Sequence, residues 1–266
     1  TLACAPLPSR RLSSKRPTAA GCAPPPVSRR LAVESGAKSD IVGFGCNNLF
    51  AHLMPTTGFC TSVCTLSFVC RTMATTHLLY LHGFRSSPQS AKARRMAQHV
   101  AQHHPGLHFW CPQLPPSPRL SMEQVAQGIA QWPRGQMAVV GSSLGGYYAT
   151  WVARQTHCPS VLLNPAVNPA RDLERYIGEQ TAWHQPEERF FFRPEYVQEL
   201  RALDLRGQPP AGPELAIIAK GDEVLDWREM VARYPQARLR LLEGGDHALS
   251  DFDTHLDAIV DFLELA

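Results

Sequence analysis

The chain has 266 residues, 44% of them apolar and 18% charged, with a formal net charge of +3. That length and apolar content suit one large domain or two small ones, and the charge excess is too small to argue for nucleic-acid binding. No stretch approaches the roughly 18 apolar residues a membrane-spanning helix needs, so neither nucleic acid nor a membrane is an expected partner.

Charge and cysteine are unevenly spread. Residues 1–72 carry eight Lys or Arg against Glu34 and Asp40 alone, together with Pro24-Pro25-Pro26 and Arg29-Arg30. No helical or strand period persists there, and the segment is expected to be disordered, as an extension preceding a start at Met73. A targeting peptide and a metal site at Cys60, Cys64 and Cys70 are the alternatives. Cys4, Cys22, Cys46, Cys60, Cys64 and Cys70 all fall in this segment, and only Cys111 and Cys158 lie beyond it. A secreted disulfide scaffold would place its cysteines in the folded part, so a reducing, cytoplasmic compartment is expected.

From residue 77 strand and helix signals alternate. His77-Leu78-Leu79-Tyr80-Leu81 reads as a short strand ending at His82-Gly83. Residues 88–103 read as a helix, with Ser87 as cap and Pro88 in the first turn. A strand is predicted over 107–111, then a helix over 121–131 with Ser121 as cap and Gln124 three residues on. Met137-Ala138-Val139-Val140 is the next strand, running straight into Gly141-Ser142-Ser143-Leu144-Gly145, a G-x-S-x-G sequence followed by a helix over 147–155. A serine hydroxyl is a weak nucleophile. A sharp strand-to-helix turn projects it into reach of a base, and small flanks permit so tight a turn. Ser143, not Ser142, has glycine at both minus two and plus two.

Residues 160–163 form a further strand, stopped by Asn164-Pro165. Residues 168–213 are long for a connection and carry Trp183, Phe190, Phe191, Phe192 and Tyr196. They read as an aromatic-rich, partly helical insertion packed over the site. Strand 215–219, a helix near 226–234, strand 238–242 and a closing helix near 252–264 complete the order. Six strands separated by helices predict a doubly wound, mainly parallel α/β sheet, with ligands beyond the carboxyl ends of the strands.

A serine nucleophile needs a base, and the base needs a carboxylate to orient it. In this kind of sheet the chain order is Ser, acid, His. His157 follows the elbow helix too closely, His184 lies in the insertion, and His255 falls in the last helix, where a solvated surface role is expected. His247, in the Gly-rich loop Glu243-Gly244-Gly245-Asp246-His247 after the last strand, is the candidate base. Asp222, in Lys220-Gly221-Asp222-Glu223-Val224-Leu225-Asp226, is the preferred acid, with the Val224-Leu225 pair anchoring its loop and Asp226 the next choice. Asp246 reads as a surface carboxylate. The backbone N–H groups of Leu144 and Phe84 are the candidate donors to an oxyanion. His82 reads as a residue that holds the Phe84 loop, and His99, His103, His104 and His108 as surface histidines.

The segments Leu78-Leu79-Tyr80-Leu81-His82-Gly83-Phe84, Gly141 through Ala149, Leu163-Asn164-Pro165-Ala166-Val167, Gly221 through Asp226 and Gly244-Gly245-Asp246-His247 together resemble the α/β-hydrolase superfamily, and more closely its YqiA-like small bacterial esterases. The resemblance covers residues 73–266. It implies a cytoplasmic hydrolase of small-molecule carboxylic esters, acting through an acyl-enzyme with no cofactor and no metal. It maps nucleophile, acid and base onto Ser143, Asp222 and His247. A thioesterase or peptidase with the same triad, and a non-catalytic binding module on the same fold, remain open.

Overall fold

The computed structural model describes residues 74–183 and 187–266. The expectations for residues 1–72, for Met73 as the start and for His184 lie outside the described residues. The elements, in chain order, are β1 (His77–Leu81), α1 (Ala91–His103), β2 (His108–Trp110), α2 (Pro118–Gly128), β3 (Met137–Ser142), α3 (Leu144–Thr156), β4 (Ser160–Leu163), α4 (Pro169–Asp172), β5 (Gly178–Thr181), β6 (Arg189–Phe192), α5 (Pro194–Ala202), β7 (Glu214–Ala219), α6 (Trp227–Arg233), β8 (Arg238–Leu242) and α7 (Leu256–Leu263).

Six strands form one parallel sheet in the order β2-β1-β3-β4-β7-β8. Its inner strands are buried on both faces, which explains their unbroken apolar runs. Alternate residues point to opposite sides: Leu79, Leu81, Val139, Ala216 and Ile218 join the core beneath α2, α3, α5 and α6. Leu78, Tyr80, Ala138, Val140, Leu215 and Ile217 join the core with α1 and α7. The helices answer with stripes at three- and four-residue spacing, Ala93, Met96 and Val100 on α1 and Leu256, Ile259 and Leu263 on α7. The doubly wound α/β fold expected from the alternation is the fold observed.

After β1 the chain pairs β2 on one side and then returns to pair β3 on the other. This reversal of strand order opens a crevice beyond the carboxyl ends of β1 and β3, where ligands bind in such sheets. The register sets Leu81 beside Gly141 and Ser142 beside Leu163. The segments that follow these strands, at 82–84, 143–145 and 164–166, therefore start side by side.

Several local expectations need correction. Helix α1 starts at Ala91; Ser87 and Pro88 lie in the turn before it, where the Ser87 hydroxyl accepts from the Gln89 amide. Helix α2 is capped by Ser117, whose hydroxyl accepts from the Leu120 amide. Pro118 takes the first helical position, for which its fixed φ is preorganised. Ser121 is buried within the helix and donates to the Pro115 carbonyl. The closing segment is a 3₁₀ turn over Phe252–His255 followed by α7. His255 is 2% exposed rather than solvated, because the turn rotates it inward. The insertion holds α4, the antiparallel hairpin β5–β6 and α5, so it is more than partly helical. Its aromatics alternate along β6, with Phe192 buried and Phe191 57% exposed.

Candidate active site

Ser143 caps α3 with φ 56° and ψ −121°. A non-glycine residue there carries strain of about 1–3 kcal/mol. The neighbouring main chain holds it from both ends: the Ser143 amide donates to the Leu163 carbonyl at 3.0 Å, and the Ser143 carbonyl accepts from the Ala166 amide at 3.0 Å. The flanking glycines are required by contact. A Cβ on Gly145 would lie 2.0 Å from the Leu81 carbonyl oxygen, and one on Gly141 would lie 2.1 Å from the Gly145 carbonyl oxygen. The turn is thus pressed against β1 and against itself, and no side chain fits between.

His247 and Asp222 converge on this serine from the loops after β8 and β7. His247 Nε2 lies 3.0 Å from Ser143 Oγ, and His247 Nδ1 lies 2.7 Å from Asp222 Oδ2. A carboxylate can only accept, so Nδ1 carries the proton and Nε2 presents its lone pair to the hydroxyl. The Asp222 side chain is 0% exposed and that of His247 20%. The second carboxylate oxygen, Oδ1, accepts from the Val224 and Leu225 amides, each at 2.8 Å. Three hydrogen bonds therefore fix the orientation of Asp222. Of the two residues expected to anchor this loop, Leu225 packs against the core while Val224 is exposed. Asp226 lies outside the relay: it caps α6, accepting from the Arg228 amide. Asp246 accepts from the amide and hydroxyl of Ser250, which lowers its carboxyl below the usual range.

The His247 loop is tied down by further side chains, of which Lys92 and Asn164 were not singled out by the residue pattern. Glu223 Oε2 accepts from the His247 amide at 3.0 Å. The Lys92 ammonium donates to the Ala248 carbonyl. Burial lowers Lys92 to about 8, the nearby carboxylates of Asp246 and Asp222 opposing the shift. Asn164 is wholly buried, and its side-chain amide reaches the carbonyls of Asp246 and His247. Asn164-Pro165 reads in the sequence only as a strand stop; these bonds span more than 80 residues and leave no local signature.

Beside the serine lies the loop after β1. A Cβ on Gly83 would start 3.2 Å from Ser143 Cβ. His82 is buried; its Nε2 accepts from the Leu114 amide at 3.2 Å, so its Nδ1 carries the proton donated to the Gly83 carbonyl at 3.0 Å. It fixes the loop. Leu144 opens α3, so its N–H has no intrahelical acceptor. The Phe84 amide makes no main-chain hydrogen bond among the described residues.

The insertion closes over this loop. The Phe84 ring meets Tyr176 at 5.6 Å, Phe190 at 6.1 Å and Phe192 at 5.2 Å. Arg85 donates to the Thr181 carbonyl at 2.7 Å and hydroxyl at 3.0 Å, and its guanidinium lies 4.3 Å over the Trp183 ring. Between loop and hairpin is a cavity of 230 Å³, lined among others by Phe84, Leu114, Leu144, Tyr148 and Phe190. Ser143, Asp222 and His247 line neither this cavity nor a larger one of 660 Å³ bounded by Arg154, Glu214, Arg233 and Pro235, but the smaller one adjoins the elbow through Gly83 and Leu144. Among the described residues no helix is long and apolar enough to cross a membrane, and Cys111 and Cys158 are free thiols.

The family model described as Uncharacterised protein family (UPF0227) matches residues 77–264. Among solved structures, the chain is similar to a protein from Agrobacterium vitis S4 provisionally described as a hydrolase. The identity is 20% and the TM-score 0.59, covering 72% of this chain and 91% of that one. It is also similar to mouse alpha/beta hydrolase domain-containing protein 10, at 17% identity and TM-score 0.53, covering 72% and 92% of the two chains. A third likeness, at 18% identity and TM-score 0.53, covering 72% and 95%, is to a structure of the metagenome-derived lipolytic enzymes LipS and LipT. At these identities the likeness is one of fold.

Proposed function

The chain belongs to the uncharacterised family UPF0227, a YqiA-like branch of the α/β-hydrolase superfamily, and from that premise we propose that it is a serine hydrolase that cleaves small-molecule carboxylic esters through an acyl-enzyme on Ser143. The observation that carries the reading is the unbroken hydrogen-bonded chain from the Asp222 carboxylate through His247 to the Ser143 hydroxyl, with that hydroxyl on a strained elbow. A solvated histidine or a plain helix turn has no need of such an arrangement.

In this reading Ser143 Oγ attacks the ester carbonyl while His247 Nε2 takes its proton. Asp222 holds the imidazole tautomer and stabilises the imidazolium. The Leu144 and Phe84 amides receive the oxyanion, and losing one such donor costs about 3–4 kcal/mol of transition-state stabilisation. The imidazolium returns its proton to the departing alkoxide, leaving the acyl-enzyme. Water, deprotonated by His247, then attacks the acyl carbonyl, and Ser143 leaves with the proton restored.

The acyl group sits in the cavity between Phe84 and Phe190. At 230 Å³ it lies below the roughly 300–1,000 Å³ of pockets that enclose drug-sized ligands. Compact acyl groups, a short chain or a single ring, suit it. The same chemistry extends to thioesters and amides, and a panel of matched ester, acyl-CoA and peptide substrates separates these. The reaction needs no cofactor, and a cytoplasmic setting fits the cysteine distribution. The test is turnover of p-nitrophenyl acetate and butyrate by the full chain and by Ser143→Ala. Hydrolysis by the parent and its loss in the variant, with unchanged circular dichroism, is the expected result. Equal turnover by both would remove Ser143 from the reaction.

A further inference from the structure

The turn at residues 163–166, after β4, touches all three arms of the proposed relay. Its main chain grips Ser143 from both ends, through the Leu163 carbonyl and the Ala166 amide. The Asn164 amide donates to the Ile217 carbonyl at 3.0 Å, and Asn164 Oδ1 accepts from the Ala219 amide at 2.8 Å. Ala219 is the last residue of β7, three before Asp222. On the other side of the same carboxamide, Nδ2 donates to the Asp246 carbonyl at 3.0 Å and the His247 carbonyl at 3.2 Å.

Asn164 is 0% exposed and sits at φ 40°. Of the non-glycine residues, Asn is among those that enter this left-handed region most readily. Its acceptor oxygen and both amide protons are engaged. Leaving the buried Ala219 amide and the two half-buried carbonyls without partners would be costly, yet an ordinary turn would satisfy them with main chain. Here one side chain bridges the strand that leads to the acid and the loop that carries the base. Other ties on this loop come from the side chains of Glu223, Lys92 and Lys220 and from the Gly221 amide, which donates to the Gly244 carbonyl at 3.3 Å.

We propose that Asn164 is a positioning residue that registers the His247 loop against Ser143 and Asp222. This rests on the hydrolase reading for its consequence in turnover, and on the hydrogen bonds alone for its consequence in geometry. The imidazole must meet two partners at once, 2.7 Å and 3.0 Å away. A displacement of about 1 Å in a reacting group typically costs roughly a hundredfold in rate. Binding of a small acyl group between Phe84 and Phe190 does not involve Asn164.

Two variants test it. Asn164→Gly accepts the backbone conformation and removes the whole side chain. Asn164→Asp keeps an acceptor for the Ala219 amide and lacks both amide protons that hold the base loop. For each, kcat per active site titrated with a fluorophosphonate is read beside KM, and the His247 Nδ1 proton is followed by low-field NMR, assigned with His247→Gln. The expected result is kcat lower by about a hundredfold, KM within about threefold, and an Nδ1 resonance broadened or lost in both variants. A role in stability alone would lower the melting temperature and leave kcat per titrated site and the resonance unchanged, which would overturn the proposal. If the parent shows no ester turnover, the hydrolase reading fails and the NMR signal alone decides the role of Asn164. An intact Nδ1 resonance in folded Asn164→Asp would then overturn it.

Discussion

The rim of the sheet and the segment inserted between β4 and β7 are held by different forces. At the rim, position is set by main chain and by side chains bonded to main chain. The Gly145 elbow is pressed onto the Leu81 carbonyl, Ser143 is gripped by Leu163 and Ala166, and Asp222 is locked by two amides. In the insertion, position is set by aromatic packing on Phe84 and by the Arg85 contacts with Thr181 and Trp183. The first kind of constraint tolerates almost no change, since a misplaced carbonyl cannot be repacked. The second can be refilled by other apolar side chains of similar size. On the proposed reading, chemistry would belong to the rim and choice of acyl group to the insertion.

Substitutions can break that division, and the largest effects belong to the rim. His247→Ala is expected to lower kcat by about 10⁶-fold and Asp222→Ala by roughly 10⁴-fold, following the ranking in comparable triads; steady-state kinetics on p-nitrophenyl butyrate reads both. Next comes Gly145→Ala, which sets a methyl group 2.0 Å from a carbonyl oxygen. It is expected to destabilise the fold by more than about 4 kcal/mol or to prevent folding, as measured by urea denaturation. In the insertion, Phe190→Ala is expected to leave acetyl ester turnover close to parental. It should shift kcat/KM for benzoyl relative to acetyl esters by about tenfold. Phe191, 57% exposed on the same strand, serves as the control, and Phe191→Ser should change stability by less than about 0.5 kcal/mol.

The smallest effect concerns Lys92, which burial lowers to about 8. In the unfolded chain it titrates near 10.5. Between these values the unfolded state binds more protons, so this group makes stability rise with pH across that window. The burial cost it imposes is present below about pH 8 and relieved above. Lys92→Met is expected to flatten the melting temperature between pH 8 and 10 relative to the parent, by differential scanning calorimetry. An unchanged slope would remove Lys92 as the source.

The same division explains what could be read from residue order. Ser143, Asp222 and His247 stand out because glycine pairs and strand ends mark their loops, and the chain order is fixed by the topology. The six strands stand out because they are buried on both faces and so uniformly apolar. Asn164 does not: its partners at 219, 246 and 247 are distant, and its letter fits an ordinary strand stop. The β5–β6 hairpin is equally silent, since Gly178–Thr181 is short, polar and half exposed and carries no apolar alternation. At α2 both Ser117 and Ser121 have the chemistry of a cap, and Pro118 decides between them. His255 has acidic neighbours typical of a surface, and only the 3₁₀ turn before α7 buries it.

The central claim is that Ser143 is a nucleophile activated by His247. The most direct measurement is covalent: the intact chain is treated with a fluorophosphonate, digested, and the modified residue located by mass spectrometry. A single phosphonyl adduct on Ser143 is expected, formed rapidly in the parent and at least a thousandfold more slowly in His247→Ala. A folded parent that takes no label at Ser143, or labels there equally fast without the imidazole, would contradict it.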